Sequence, residues 1–98
     1  MREEIVQIIC ESLTDINEEL DYDSLKNATE STEIYGGDDG IDSLSLVRLV
    51  TDVEMKINEK FDSNVLLASE KAMSMRNSPY RSVSNLADFA MGELEGNS

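Results

Sequence analysis

Leu46, Val50, Val53, Ile57 and Phe61 recur at i, i+4, i+7, i+11 and i+15, with Leu49 beside them. This makes one apolar stripe down about five helical turns, a period that suits an amphipathic helix and not a strand. A chain built around such a helix must bury the stripe against other helices, and two segments offer themselves. Ile5, Ile8, Ile9 and Leu13 predict a helix from Glu3 to about Leu13. Val83, Leu86, Ala87, Ala90 and Leu94 predict a C-terminal helix, with Ser82 as its N-cap shortly after the only proline, Pro79. No segment alternates with β period and no internal repeat is visible. The expected fold is all-α, a small up-and-down helical bundle of three main helices plus one short helix. The short helix is expected between Asp62 and Arg81, a stretch that contains Val65, Leu66, Leu67, Ala68, Ala72, Met73 and Met75. From Thr14 to Asp42 apolar residues are sparse, which predicts an extended loop pinned at a few points and ending in the freely turning Gly36, Gly37 and Gly40. Residues 1–94 read as one domain and 95–98 as a frayed tail.

At 98 residues one modest core is possible and a large enclosed substrate cavity is not expected, so the protein should act on its surface. No apolar run approaches membrane-spanning length, and Met1-Arg2-Glu3-Glu4 leads into an amphipathic pattern, unlike a signal peptide. A soluble, cytoplasmic monomer is expected. The lone Cys10, among Ile8, Ile9 and Leu13, reads as a small buried hydrophobe in preference to a reactive thiol. Charge is distributed unevenly. Met1 to Val47 holds 13 acids against Arg2 and Lys26, whereas Arg48 to Ser98 holds 8 acids against 6 bases. Such a surface repels nucleic acid and anionic lipid and favours basic patches on protein partners, although plain solubility is an equal explanation of the acidity.

The stretch "GGDDGIDSLSLVRLV", Gly36 to Val50, runs from a glycine and aspartate cluster straight into the long helix, with Ser43 at the seam. Ser43 has no histidine anywhere in the chain to activate it, and position 46, where a Ser-x-x-Lys partner would stand, is Leu46. It is not a self-activated nucleophile, and no catalytic residue is assigned. The glycines are interleaved with Asp38, Asp39 and Asp42, which would repel a nucleotide phosphate. A calcium loop starting at Asp21 and Asp23 fails because Lys26 and Thr32 stand where glycine and glutamate are needed. No metal site is assigned. What remains is a serine that another enzyme modifies. At the first turn of a helix, free backbone N–H groups and the helix dipole favour a phosphate ester on Ser43. Asp42 would cap the helix and help hold Mg²⁺ arriving with a pyrophosphate donor.

"GIDSLSLVRLV", the long helix into "KFD", a short apolar segment and the closing "SVSNLADF" helix together resemble an acyl carrier protein, over nearly the whole chain. The resemblance implies that Ser43 receives 4'-phosphopantetheine from coenzyme A, that Asp42 assists the metal during transfer, and that Leu44 is an exposed docking contact. It implies a non-enzymatic carrier that holds an acyl or aminoacyl thioester. Its partners would be a phosphopantetheinyl transferase and the loading and transferring enzymes. Three departures stand out. The motif is preceded by "EIYGGDDGIDSL" with Ile34 and Tyr35 as pins, the long helix and the connection after it are longer than usual, and Arg48 replaces a common acidic residue. These point from a fatty-acid carrier toward a dedicated one in a specialised biosynthetic pathway.

Leu44, Val47, Thr51 and Met55 form a second strip at i, i+3, i+7 and i+11, away from the core stripe. With Arg48 they read either as a partner-docking face or as a face buried by the long connections. Met73 and Met75 read as core filler in preference to lining for an acyl chain. The rival function, of a different class, is an unmodified acidic helical protein-interaction module that binds a basic protein surface and uses Ser43 only as a helix cap.

Overall fold

The computed structural model describes residues 2–35, 41–68 and 79–96, with Ser24 and Ser43 described by their backbone alone. Among the described residues the fold is a bundle of three helices: α1 (Arg2–Leu20), α2 (Ser43–Phe61) and α3 (Val83–Gly96). α1 packs against both α2 and α3. Its apolar face places Ile5, Ile9, Leu13 and Ile16 in one core with Leu46, Leu49, Val50, Val53 and Ile57 of α2 and Val83, Leu86, Ala87 and Ala90 of α3. The stripe expected on α2 is thus the core face, with Phe61 half-buried at its end.

α1 is longer than expected. It continues seven residues past Leu13 because Ile16, three residues on, extends the buried face, and Leu20 four further packs against its edge. The polar residues that made the stretch look like loop occupy the outer side of that helix. Termination is local chemistry. Asp21 adopts a left-handed conformation at φ 53°, and its N–H donates to the Asn17 carbonyl at 2.8 Å. The Asn17 side chain then holds Tyr22 from both sides, accepting from its N–H at 2.7 Å and donating to its carbonyl at 3.1 Å.

The α1–α2 connection has more anchors than Ile34 and Tyr35. A 3₁₀ turn, Asp23–Leu25, seats Leu25 in the core, and Ile34 and Ile41 are buried as well, whereas Tyr35 is only half-buried. Residues 30–34 lie against the entry to α3. Val83 and Ser84 donate their N–H groups to the carbonyls of Thr32 and Glu30, each at 3.0 Å, and Ile34 donates to Arg81 at 2.7 Å. Glu33 and Ser82 form an isolated antiparallel bridge there. The loop thus satisfies N–H groups that a helix start leaves open, while the Ser82 hydroxyl accepts from Asn85 N–H at 3.2 Å as the expected cap. Arg2 fastens the same corner through Glu30, Asp88 and Ser84.

After α2, Asp62 turns left-handed at φ 50° and residues 63–68 lie outside any helix, with a bend at Ala68. The Asn58 side chain donates to Val65 O at 3.2 Å and accepts from Val65 N–H at 2.8 Å and Ser63 Oγ at 3.0 Å. One turn earlier, Glu54 accepts from Leu67 N–H at 2.6 Å. Two α2 side chains therefore act as the partner strand that this segment lacks. The short helix expected further along, with Ala72, Met73 and Met75, lies outside the described residues, as do Gly36, Gly37, Asp38, Asp39 and Gly40. α3 runs through Glu95 and Gly96, two residues into the segment expected to fray.

Candidate modification site and docking face

Ser43 is the first residue of α2, and the residue before it is its N-cap. Asp42 is extended at φ −75°, ψ 171°, and its Oδ1 accepts from Ser45 N–H at 2.8 Å. This satisfies one of the open donors of the first turn. The same N–H, helped by the Ser45 hydroxyl, holds the Asp42 carboxyl below the usual carboxylate range. The capping role expected of Asp42 is therefore present in the geometry. The two serines of the motif differ in setting: Ser45 is buried and Leu46 beyond it enters the core, while Asp42 and Leu44 on either side of Ser43 are exposed.

Leu44 is 77 %, Val47 42 % and Met55 62 % exposed, and Thr51 is open as well. Of the two readings of this strip, burial under the connections does not hold among the described residues. Val47, Thr51 and Met55 of this strip, but not Leu44, belong to one wall of an open groove of about 490 Å³ between α1 and α2, whose α1 side includes Asp15, Ile16 and Glu19.

Arg48 is also on this surface, but its guanidinium donates to Glu19 Oε2 of α1 at 2.8 Å. Glu19 is held below its ordinary pKa by that hydrogen bond and the accompanying charge. Any partner acid opposite Arg48 would thus compete with a carboxylate already present. Deeper in the same seam, Lys56 Nζ reaches Asp52 at 3.1 Å, Asp15 at 3.2 Å and the buried Ser12 hydroxyl at 3.2 Å. Burial pulls the Lys56 pKa down, but the hydrogen bonds to Asp52 and Asp15 outweigh it and leave it raised. The Asp52–Lys56 contact has the i, i+4 spacing of a helical ion pair and is readable from sequence. Nothing in the linear sequence signals Glu19 for Arg48, 29 residues away.

Cys10 is only half-buried, packed against the core edge, and desolvation pushes its thiol pKa up, the direction of an inert thiol. Among the described residues no group of three His, Cys, Asp or Glu side chains is arranged to hold a metal ion. None of their helices is long and apolar enough to cross a membrane. Compared with protein-family models, curated proteins and solved structures, the chain matches none.

Proposed function

We propose that this protein is a carrier that bears a 4'-phosphopantetheine arm on Ser43 and presents an acyl or aminoacyl group to partner enzymes, in a specialised biosynthetic pathway. The observation that carries the reading is the position of Ser43 as first residue of a 19-residue helix, between exposed Asp42 and Leu44 and beside a buried Ser45. The residues present fit the group. N–H groups at the start of α2 and the positive end of its dipole favour a phosphodiester at that point. Asp42, kept ionised by the Ser45 N–H, is placed to help a transferase hold the Mg²⁺ that accompanies the coenzyme A pyrophosphate. When bound, the arm supplies a terminal thiol that holds the cargo as a thioester. The chain has no histidine to activate Ser43, so installation and loading fall to other enzymes, a phosphopantetheinyl transferase first. In transfer, Ser43 Oγ forms a bond to the β-phosphorus, the pyrophosphate bond breaks, adenosine 3',5'-bisphosphate leaves and the serine proton passes to the transferase. The protein acts as a soluble monomer in the cytoplasm.

Incubation with a broad-specificity phosphopantetheinyl transferase, Mg²⁺ and coenzyme A, followed by intact mass measurement, tests this. One phosphopantetheine increment is expected on wild type and on Ser45→Ala, and none on Ser43→Ala with unchanged circular dichroism. An unmodified wild-type chain would leave the rival reading, an acidic interaction module, which the open α1–α2 groove supports independently.

A further inference from the structure

Ser43, Val47, Thr51 and Met55 stand at i, i+4, i+8 and i+12 of α2, so they belong to one ridge of the helix, and it begins at the residue read as the attachment point. Val47, Thr51 and Met55 are exposed and uncharged. Each step of the ridge advances about 6 Å along the axis and about 40° round it, and the winding carries it toward α1, where all three of these residues line the groove. The far end of the ridge is acidic. Asp52 precedes Met55 by three residues, and exposed Glu59, the next residue of the ridge, follows it by four. Asp52 and Asp15 share the single ammonium of Lys56, and Glu59 forms no ion pair among the described residues. Lys60 stands about 140° round the helix from Met55. Negative charge is therefore in excess at this end, whereas at the near end Arg48 is balanced by Glu19.

We infer that this ridge is a resting track for the phosphopantetheine arm, and that the cargo presented at its end is an aminoacyl group. The inference rests on the carrier reading above. From the serine Oγ to the terminal sulfur the arm has about 14 bonds, and at about 1.2 Å of reach per bond of an extended chain it spans about 17 Å. Thr51 is about 12 Å and Met55 about 18 Å along the axis from Ser43, and somewhat more along the winding surface, so the sulfur comes to lie between them. The dimethyl carbon of the arm then meets Val47, and its second amide passes the Thr51 hydroxyl. The α-ammonium of an aminoacyl thioester, three bonds beyond the sulfur, reaches about 21 Å, beside Met55 and within side-chain reach of Asp52 and Glu59. A long hydrocarbon chain on the same course would run off Met55 onto the Glu59 carboxylate, where apolar surface gains nothing. Charge at the end of the track selects the cargo.

The test loads the protein, by a broad-specificity transferase, with coenzyme A and with coenzyme A analogues ending in a glycyl or a propionyl group on a stable amide. Intact mass confirms each form. The two cargoes have equal length and differ in the ammonium alone. Nuclear magnetic resonance should show the amide signals of Val47 and Thr51 and the methyl signal of Met55 shifted between unmodified and arm-bearing protein, and Val47→Asp should cancel the shifts at Thr51 and Met55. The glycyl form should displace the Met55 signal about twofold further than the propionyl form at low salt, with the difference fading at high salt. Glu59→Gln combined with Asp52→Asn should remove that difference, and circular dichroism checks that the variants keep their fold. A chain that takes up no arm by mass overturns the carrier reading and this inference with it. Arm-bearing protein whose Val47, Thr51 and Met55 signals stay in place, or whose shifts fall on core residues such as Leu46 and Val53 instead, overturns the track alone. Equal displacement by the glycyl and propionyl cargoes overturns the aminoacyl assignment.

Discussion

Replacing Asn58 with Ala removes the side chain that holds residues 63–65 against α2, and its consequence can be worked from three hydrogen bonds. Asn58 satisfies both backbone groups of Val65, whose side chain is 2 % exposed, and accepts from Ser63 Oγ. Leaving a buried backbone group unpaired costs about 1–3 kcal/mol. The strap is at the surface, with Asn64 and Leu66 exposed, so water reaches part of the vacated space and the low end of that range applies to each Val65 group. The two groups together then cost about 2.5 kcal/mol. Alanine's better helix propensity returns about 0.6 kcal/mol, for a net loss of about 2 kcal/mol. In a domain of this size that is a fall in Tm of roughly 8–10 °C. Urea unfolding followed by circular dichroism should show the midpoint lowered with an unchanged m-value. Asn58→Asp, which keeps the acceptor for Val65 N–H and loses the donor, should fall between wild type and Ala. A loss below about 0.5 kcal/mol for Asn58→Ala, the ordinary range for a surface change, would show that the strap is held by the burial of Val65 and Leu67 alone.

Leu25→Ala should cost about 2–4 kcal/mol because it empties a buried site under the 3₁₀ turn, while Leu66→Ala, at an exposed position of the strap, should stay within about 0.5 kcal/mol; paired urea melts check both. Asp42→Ala should destabilise α2 in a pH-dependent way. The folded-state pKa of Asp42 is depressed, so its contribution is complete above the unfolded value and is lost as pH falls through the folded one. The stability gap between wild type and Asp42→Ala should therefore shrink between neutral pH and about pH 3, and a gap that widens on acidification would contradict the cap. Arg48→Glu should lower stability slightly at low salt by setting two carboxylates against each other, and the exchange Glu19→Arg with Arg48→Glu should restore it. A double-mutant cycle with no coupling at low salt would mean that the two side chains are independently solvated.

The all-α class, the two faces of α2, the caps at Asp42 and Ser82 and the position of Ser43 at a helix start were all readable from local pattern. Each depends on residues within about two turns of one another, where helical period and cap chemistry act without regard to the rest of the chain. The length of α1 was not readable. Ile16 and Leu20 are sparse apolar marks in a polar run, and only contact with the core and with Leu25 makes that run helical. The same holds for Leu25 and Ile41 as pins, for Asn58 and Glu54 as the partner of residues 63–68, and for Glu19 opposite Arg48. Backbone polar groups must find partners wherever folding buries them, and which side chain stands nearest depends on helix packing, which a linear pattern does not contain. The chain by itself determined a serine at a capped helix start and a second apolar strip down the same helix. Tertiary structure alone decided that the strip faces open solvent beside an acidic helix, because it is the placement of α1 that turns a face of α2 into one wall of a groove.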